Sequence, residues 1–176
     1  MTAYIALLRG VNVGGITIRS AELRELFVGL GFDEVRTVLA SGNVAFATPD
    51  DGDPSALKRR IEQALRDRFG YDGWIVLVTR AELEAIVAAF PFDAGREGWH
   101  PYVLFGSDQE HLDELARDIG DLDGADDLVE RGDGVLYWHN RRASGVDSGF
   151  AKRTAKARYK PTTTNRNLRT LLKLLR

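Results

Sequence analysis

The chain has no cysteine in its 176 residues. That removes disulfides, thiol nucleophiles and thiolate metal sites, and it suits a reducing, cytoplasmic compartment. Histidine is nearly as scarce. His100, His111 and His139 never reach the i, i+4 spacing of a helical zinc pair, and His139 beside Trp138 reads as a strand-end residue, so no metal and no cofactor is expected. No apolar run approaches the ~20 residues needed to span a bilayer, so no membrane association is expected. The opening Met1-Thr2-Ala3-Tyr4-Ile5 lacks the basic stretch and small-residue cleavage site of a secretory signal, and reads as the start of a strand.

What is present is ordinary for a folded soluble chain: 44% hydrophobic and 28% charged residues, in a length that suits one large or two small domains. The net charge of −2 hides a strong asymmetry. Residues 1–140 carry 13 Lys/Arg against 25 Asp/Glu, whereas residues 141–176 carry 11 basic residues against the lone Asp147. A basic tail of this kind is either an anion-binding arm or a segment docked on the acidic remainder.

Periodicity divides the chain into two similar halves. Tyr4–Leu8 reads as a buried strand, followed by the glycine-rich loop Arg9-Gly10-Val11-Asn12-Val13-Gly14-Gly15. A helix capped by Ser20 presents Leu23, Leu26, Phe27 and Leu30 on one face and ends at Gly29 and Gly31. Val35–Leu39 and Val44–Phe46 read as strands joined through Ala40-Ser41-Gly42-Asn43. Asp53 caps a helix with Pro54 at its first position and Leu57, Ile61, Leu65 and Phe69 on its buried stripe; Trp74–Val78 is the fourth strand.

The order βαββαβ is that of a ferredoxin-like split βαβ unit over residues 1–79. A connecting stretch over 80–99 opens with the capping box Thr79-Arg80-Ala81-Glu82, whose helix runs to Phe90 and is stopped by Pro91. Residues 100–176 then repeat the succession: a strand at Tyr102–Phe105, a helix opened by a box at Ser107–Glu110, two strands around Gly132-Asp133-Gly134, and a basic C-terminal helix from about Thr164. The fold class expected is α+β, two ferredoxin-like halves with antiparallel sheets and an apparent internal duplication.

Leu7-Leu8-Arg9-Gly10-Val11-Asn12-Val13-Gly14-Gly15 resembles the opening signature of a bacterial family, domain of unknown function 1697. Ala21–Arg24, Leu30–Phe32, Val35-Arg36-Thr37 and Ser41-Gly42-Asn43-Val44 continue the likeness. Thr164-Asn165-Arg166-Asn167-Leu168-Arg169-Thr170-Leu171-Leu172-Lys173-Leu174 is similar to its closing motif. Leu168 and Arg169 stand where the family has tryptophan and asparagine, and Leu39-Ala40 where it has isoleucine and glutamine, so any ligand contact made by that tryptophan or glutamine is altered here. The resemblance implies two ferredoxin-like halves and carries no activity with it.

Three segments are candidate sites. Gly10–Gly15 has the Walker A spacing but places Ile16 where the phosphate-binding lysine belongs, which excludes a nucleoside triphosphatase loop. Gly14 and Gly15 either form a turn or let the backbone approach a ligand, with Arg9 and Asn12 supplying charge and amide. Ser41 and Asn43 flank a turn, and no G-x-S-x-G nucleophile motif is present. Thr164, Arg166 and Asn167 combine hydroxyl, cation and amide at an expected helix start. Asp50-Asp51, Asp126-Asp127 and Glu110…Glu114 read as solubilising charge.

The function expected is binding of a phosphate-bearing or other anionic ligand, a nucleotide or nucleic acid, at Arg9, Asn12, Gly14, Gly15, Ser41, Asn43, Thr164, Arg166 and Asn167. The alternatives are a small-molecule enzyme with its site between the halves, and a structural or oligomerising protein using exposed strand edges. Val44-Ala45-Phe46 lacks the aromatic and basic pattern of an RNA-binding strand, for which Tyr137-Trp138 is a weaker substitute.

Overall fold

Tyr4–Leu8 lies in the first strand, β1 (Thr2–Leu8), of the computed structural model, which describes residues 1–11, 16–40, 42–49 and 52–176. Alternation along β1 sends Tyr4, Ala6 and Leu8 to one face and Ala3, Ile5 and Leu7 to the other. The first set joins Val44 and Phe46 against the buried faces of two helices, α1 (Ser20–Gly29) and α2 (Pro54–Phe69), through Leu23, Phe27, Leu57, Ile61 and Leu65. Phe46 sits among Phe32, Phe27 and Tyr4 at ring separations of 4.5, 5.3 and 5.8 Å. Each such buried side chain contributes about 1.5–3 kcal/mol.

With β2 (Asp33–Thr37), β3 (Asn43–Thr48) and β4 (Ile75–Thr79), β1 forms an antiparallel sheet of order β2-β3-β1-β4. Residues 1–84, with 173–176, make one compact unit. The Asp53 carboxylate accepts from Ser55 N–H at 3.0 Å with Pro54 in the first turn of α2, as the sequence predicts. The capping box of α3 (Arg80–Ala88) is also formed: Glu82 accepts from Thr79 N–H at 2.7 Å, and Thr79 Oγ1 from Glu82 N–H at 3.1 Å.

Residues 85–172 make the second unit, in which the pattern recurs. β5 (Trp99–Gly106), β6 (Asp127–Arg131), β7 (Val135–Arg141) and β8 (Thr163–Asn167) pair antiparallel in the order β6-β7-β5-β8. Leu104, Leu136 and Trp138 pack against Leu112 and Leu115 of α4 (Gln109–Arg117) and Phe150 of α5 (Gly149–Thr154). The chain is therefore α+β, with two four-stranded antiparallel sheets of matching strand order.

Several local expectations need correction. Thr164 does not start a helix: residues 163–167 pair with Tyr102–Gly106 as β8, and the last helix, α6, is Leu168–Leu174. The open edge of β5 supplies partners for that backbone, and such pairing overrides a cap-like threonine run. The buried stripe of α6 is Leu168, Leu171 and Leu174, whereas Leu172 is exposed. Ser20 is the first residue of α1 rather than its cap, and its hydroxyl donates to Leu39 O at 3.3 Å. Asp108, not Ser107, caps α4, accepting from His111 N–H at 2.9 Å. His139 lies inside β7, not at its end, and α3 stops at Ala88.

Candidate functional site

The first candidate cluster forms at one end of the first sheet, where β1 runs out. Leu8 N–H donates to Gly42 O at 2.8 Å and Arg9 N–H to Trp74 O at 3.2 Å. The buried Tyr71 reaches this corner with its hydroxyl 2.6 Å from Arg9 O and 2.9 Å from Trp74 O. Gly10 turns the chain at φ +76°. Gly42 (φ +77°) is so close to β1 that a Cβ there would stand 2.8 Å from Leu8 Cβ and 3.5 Å from Val11 Cβ. Two of the segments singled out in the sequence are thus packed on one another.

The β2–β3 turn is closed by Asn43, fully buried, whose amide donates to Val38 O at 2.9 Å while Val38 N–H donates to Asn43 O at 3.0 Å. Leu39, on the rim of this turn, is left-handed at φ +58° and 55% exposed. That conformation is uncommon for any residue but glycine and costly for a bulky one. Arg9 is half-buried. Asn12, Gly14, Gly15 and Ser41, and the acidic pair Asp50-Asp51, lie outside the described residues.

The C-terminal candidates lie in the second unit. Arg166 is buried on β8, donating to Thr164 Oγ1 at 2.7 Å and to Asn165 O at 2.9 Å. Asn167 accepts from Arg169 N–H at 2.9 Å and thereby caps α6. The basic tail is docked through ion pairs: Arg158 with Glu114, and Arg141 with Asp126 at 2.7 Å. The Arg158 guanidinium holds the Glu114 carboxyl down to about 2.

Tyr137 and Trp138 are no stacking platform. Both are buried, with the Tyr137 hydroxyl donating to Ile86 O at 2.6 Å and Trp138 Nε1 to Asp127 Oδ1 at 2.8 Å. Asp127, read as solubilising charge, is instead buried at the hub of a network. Its Oδ1 also accepts from Asn140 Nδ2 at 3.1 Å and Ser148 Oγ at 2.9 Å, and its Oδ2 from Phe150 N–H at 3.0 Å. Only its alternation with Val129 along β6 hinted at this.

His139 is 1% exposed among Phe92, Trp99 and Phe90, with ring separations of 5.7, 5.1 and 6.1 Å. Burial, and then the nearby Arg96, lower its pKa, with Asp93 opposing. Its Nε2 has no hydrogen-bond partner among the described residues.

A second cluster in the first unit went unread in the sequence. Arg36, on β2, donates from Nη1 to Lys173 O at 3.0 Å and from Nη2 to Leu174 O at 2.8 Å and Arg176 O at 3.1 Å. Arg80 donates to Leu175 O and to Glu84 Oε1, the latter at 2.9 Å. The last two carbonyls of α6 and the oxygens of the two residues after it thus accept from two guanidinium groups. Val35-Arg36-Thr37 and Lys173-Leu174, which both belong to the family likeness, therefore meet.

Among the described residues, no helix is long and apolar enough to cross a membrane, and no three or more His, Asp or Glu gather as metal ligands. The fold is similar to the solved structure of the conserved bacterial protein SP0830 from Streptococcus pneumoniae. The TM-score is 0.82 at 24% identity, over 99% of this chain and 97% of that one. A search of curated proteins finds no match. The family model described as "Protein of unknown function (DUF1697)" matches residues 1–137, and the chain belongs to that family.

Proposed function

We propose that this protein binds a phosphate-bearing or other small anionic ligand at the end of β1, with Arg9 as the cation and the adjoining loops as the cradle. The observation that carries the reading is the packing of the Arg9-Gly10-Val11 segment on Gly42. It brings the cation-bearing loop and the β2–β3 turn to one corner of one unit. Asn12, Gly14, Gly15 and Ser41 belong to the same two segments and complete the cradle in this reading.

The chemistry is that of anion recognition by a planar guanidinium beside closely approaching backbone. Leu39 adds support, because left-handed non-glycine residues cluster at ligand-binding and switch segments. Thr164, Arg166 and Asn167 bond within their own strand and helix start, and the reading does not depend on them. Burial of Tyr137 and Trp138 favours a nucleotide or smaller anion over nucleic acid, since base stacking needs an exposed ring.

Thermal denaturation with pyrophosphate or adenosine monophosphate tests the proposal, because a ligand that binds only the folded state raises Tm. The parent protein should show a concentration-dependent rise that Arg9→Ala abolishes, with the unliganded Tm of the variant within a few degrees. No rise in the parent, or an equal rise in both proteins, would refute it.

A further inference from the structure

Beside the face of the first sheet that carries Ile5 and Ala45 lies a cavity of about 430 Å³, lined by residues that the loop site does not use. Its floor is apolar: Ala3 and Ile5 of β1, Ala45 of β3 and Leu174. The register pairs Ile5 with Ala45, and Ala45 with Arg36, so these three side chains share one face. Arg36, Arg80 and Arg176 also line it, with Glu34 as the acidic side chain among them. Glu34 is left-handed at φ +51° in a bulge that shifts the β2–β3 register between Asp33 and Arg36. Bulges of this kind re-aim side chains beside functional sites.

The two clamp arginines are not chemically exhausted. A guanidinium has five N–H donors. Arg36 directs three of its N–H groups to oxygens of Lys173, Leu174 and Arg176, which leaves two N–H donors over. Arg80 shares its charge with Glu84 and bonds one further main-chain oxygen, which leaves donors over. The cavity volume is within the range of small-molecule sites, which are mostly apolar with a few convergent polar groups. An apolar floor beneath guanidinium forks matches a ligand with an apolar body and one planar anionic head.

From these features we infer that the cavity binds an amphipathic monocarboxylate, its head on Arg36 and Arg80 and its body over Ile5, Ala45 and Leu174. The site is independent of the loops proposed above: it lies toward the start of β1, whereas Arg9 follows its end. It also differs in chemistry, since the loop corner offers a phosphate cradle and this cavity offers apolar contact.

Calorimetric titration of the full-length protein with octanoate tests the inference, with octanol and octylamine as neutral and cationic controls of similar body. Octanoate should bind saturably and perturb the amide resonances of Ile5, Ala45 and Leu174, while both controls bind at least about tenfold more weakly. Ala45→Leu, which fills the floor without touching the clamp, should abolish binding while the circular dichroism and melting transition are kept. Arg80→Met should weaken octanoate about tenfold and leave octanol unchanged. Saturating pyrophosphate should leave the octanoate isotherm unaltered. Equal binding of all three probes, full binding by Ala45→Leu, displacement by pyrophosphate, or no octanoate binding would each overturn the inference, and none of these would by itself refute the loop site.

Discussion

Asp127 and its neighbour Asp126 have the same side chain and opposite fates. Asp126 is partly exposed and bonds Arg141, a surface pair of the kind worth at most ~1 kcal/mol. Asp127 is buried and satisfies four donors, including the Trp138 indole and the first turn of α5. Asp127→Ala should therefore cost about 3 kcal/mol or more by stranding those donors, and Asp126→Ala under about 1 kcal/mol. Urea denaturation followed by tryptophan fluorescence measures both. The pair is written identically in the sequence; what separates them is that Asp127 opens β6 at a buried position while Asp126 ends the turn before it, which a run of two residues does not reveal.

His139 carries a pH dependence of definite sign. Its folded-state pKa is lowered by burial and then by Arg96, so at pH above the ordinary 6.5 the ring is neutral in both folded and unfolded chains. Below 6.5 the unfolded chain takes up a proton that the folded chain refuses, and stability falls until the pH drops below the lowered folded pKa. His100 is lowered in the same direction, first by burial and then by Arg142 and Arg169, and adds to the slope. The urea midpoint should thus drop between about pH 7.5 and about pH 5.5, and His139→Phe should show a smaller drop. An unchanged drop would mean that His139 titrates freely in the folded protein.

Among the elements, those marked by a local signal were legible and those made by pairing were not. Asp53-Pro54 and the box at Thr79–Glu82 announce their helices because the caps are chemical and short-range. β8 announces nothing: Thr163–Asn167 has a cap-like composition, and only the open edge of β5 makes it a strand. The Arg36–Arg80 clamp was invisible for the same reason, since 137 residues separate Arg36 from Lys173.

The turn at Gly42 was legible as a turn, but its tightness was not. Because Gly42 is left-handed and a Cβ would meet Leu8 at 2.8 Å, Gly42→Ala should destabilise the first unit by about 2 kcal/mol. The change should appear as a lower denaturation midpoint. Gly10 is equally left-handed, but a Cβ there would meet no atom within 4 Å, so it should tolerate alanine better.

At the scale of the whole chain, the two halves repeat a strand order and a detail of packing. Tyr4 faces Phe46 across β1 and β3, and Tyr102 faces Trp138 across β5 and β7, each an aromatic cross-strand pair on the helix-covered face. Tyr4 and Tyr102 therefore occupy equivalent positions in the two sheets. The charge asymmetry also finds its explanation: the basic tail folds as α5, β8 and α6, with Arg141 and Arg158 paired to Asp126 and Glu114. What distinguishes the halves is the corner after the first strand, where one has Arg9, Gly10 and the glycine-rich loop and the other passes from Gly106 into the cap of α4.

That difference makes residue-resolved titration the most direct test of the central claim, which is anion binding by the first unit at the end of β1. In ¹H–¹⁵N correlation spectra of the full-length protein, pyrophosphate should shift the amides of Arg9, Gly10, Gly14, Gly15, Ser41 and Gly42 along one saturable curve. Amides throughout residues 85–172 should stay in place. Shifts confined to that second set, around Thr164 and Arg166, or none at saturating pyrophosphate, would contradict the account.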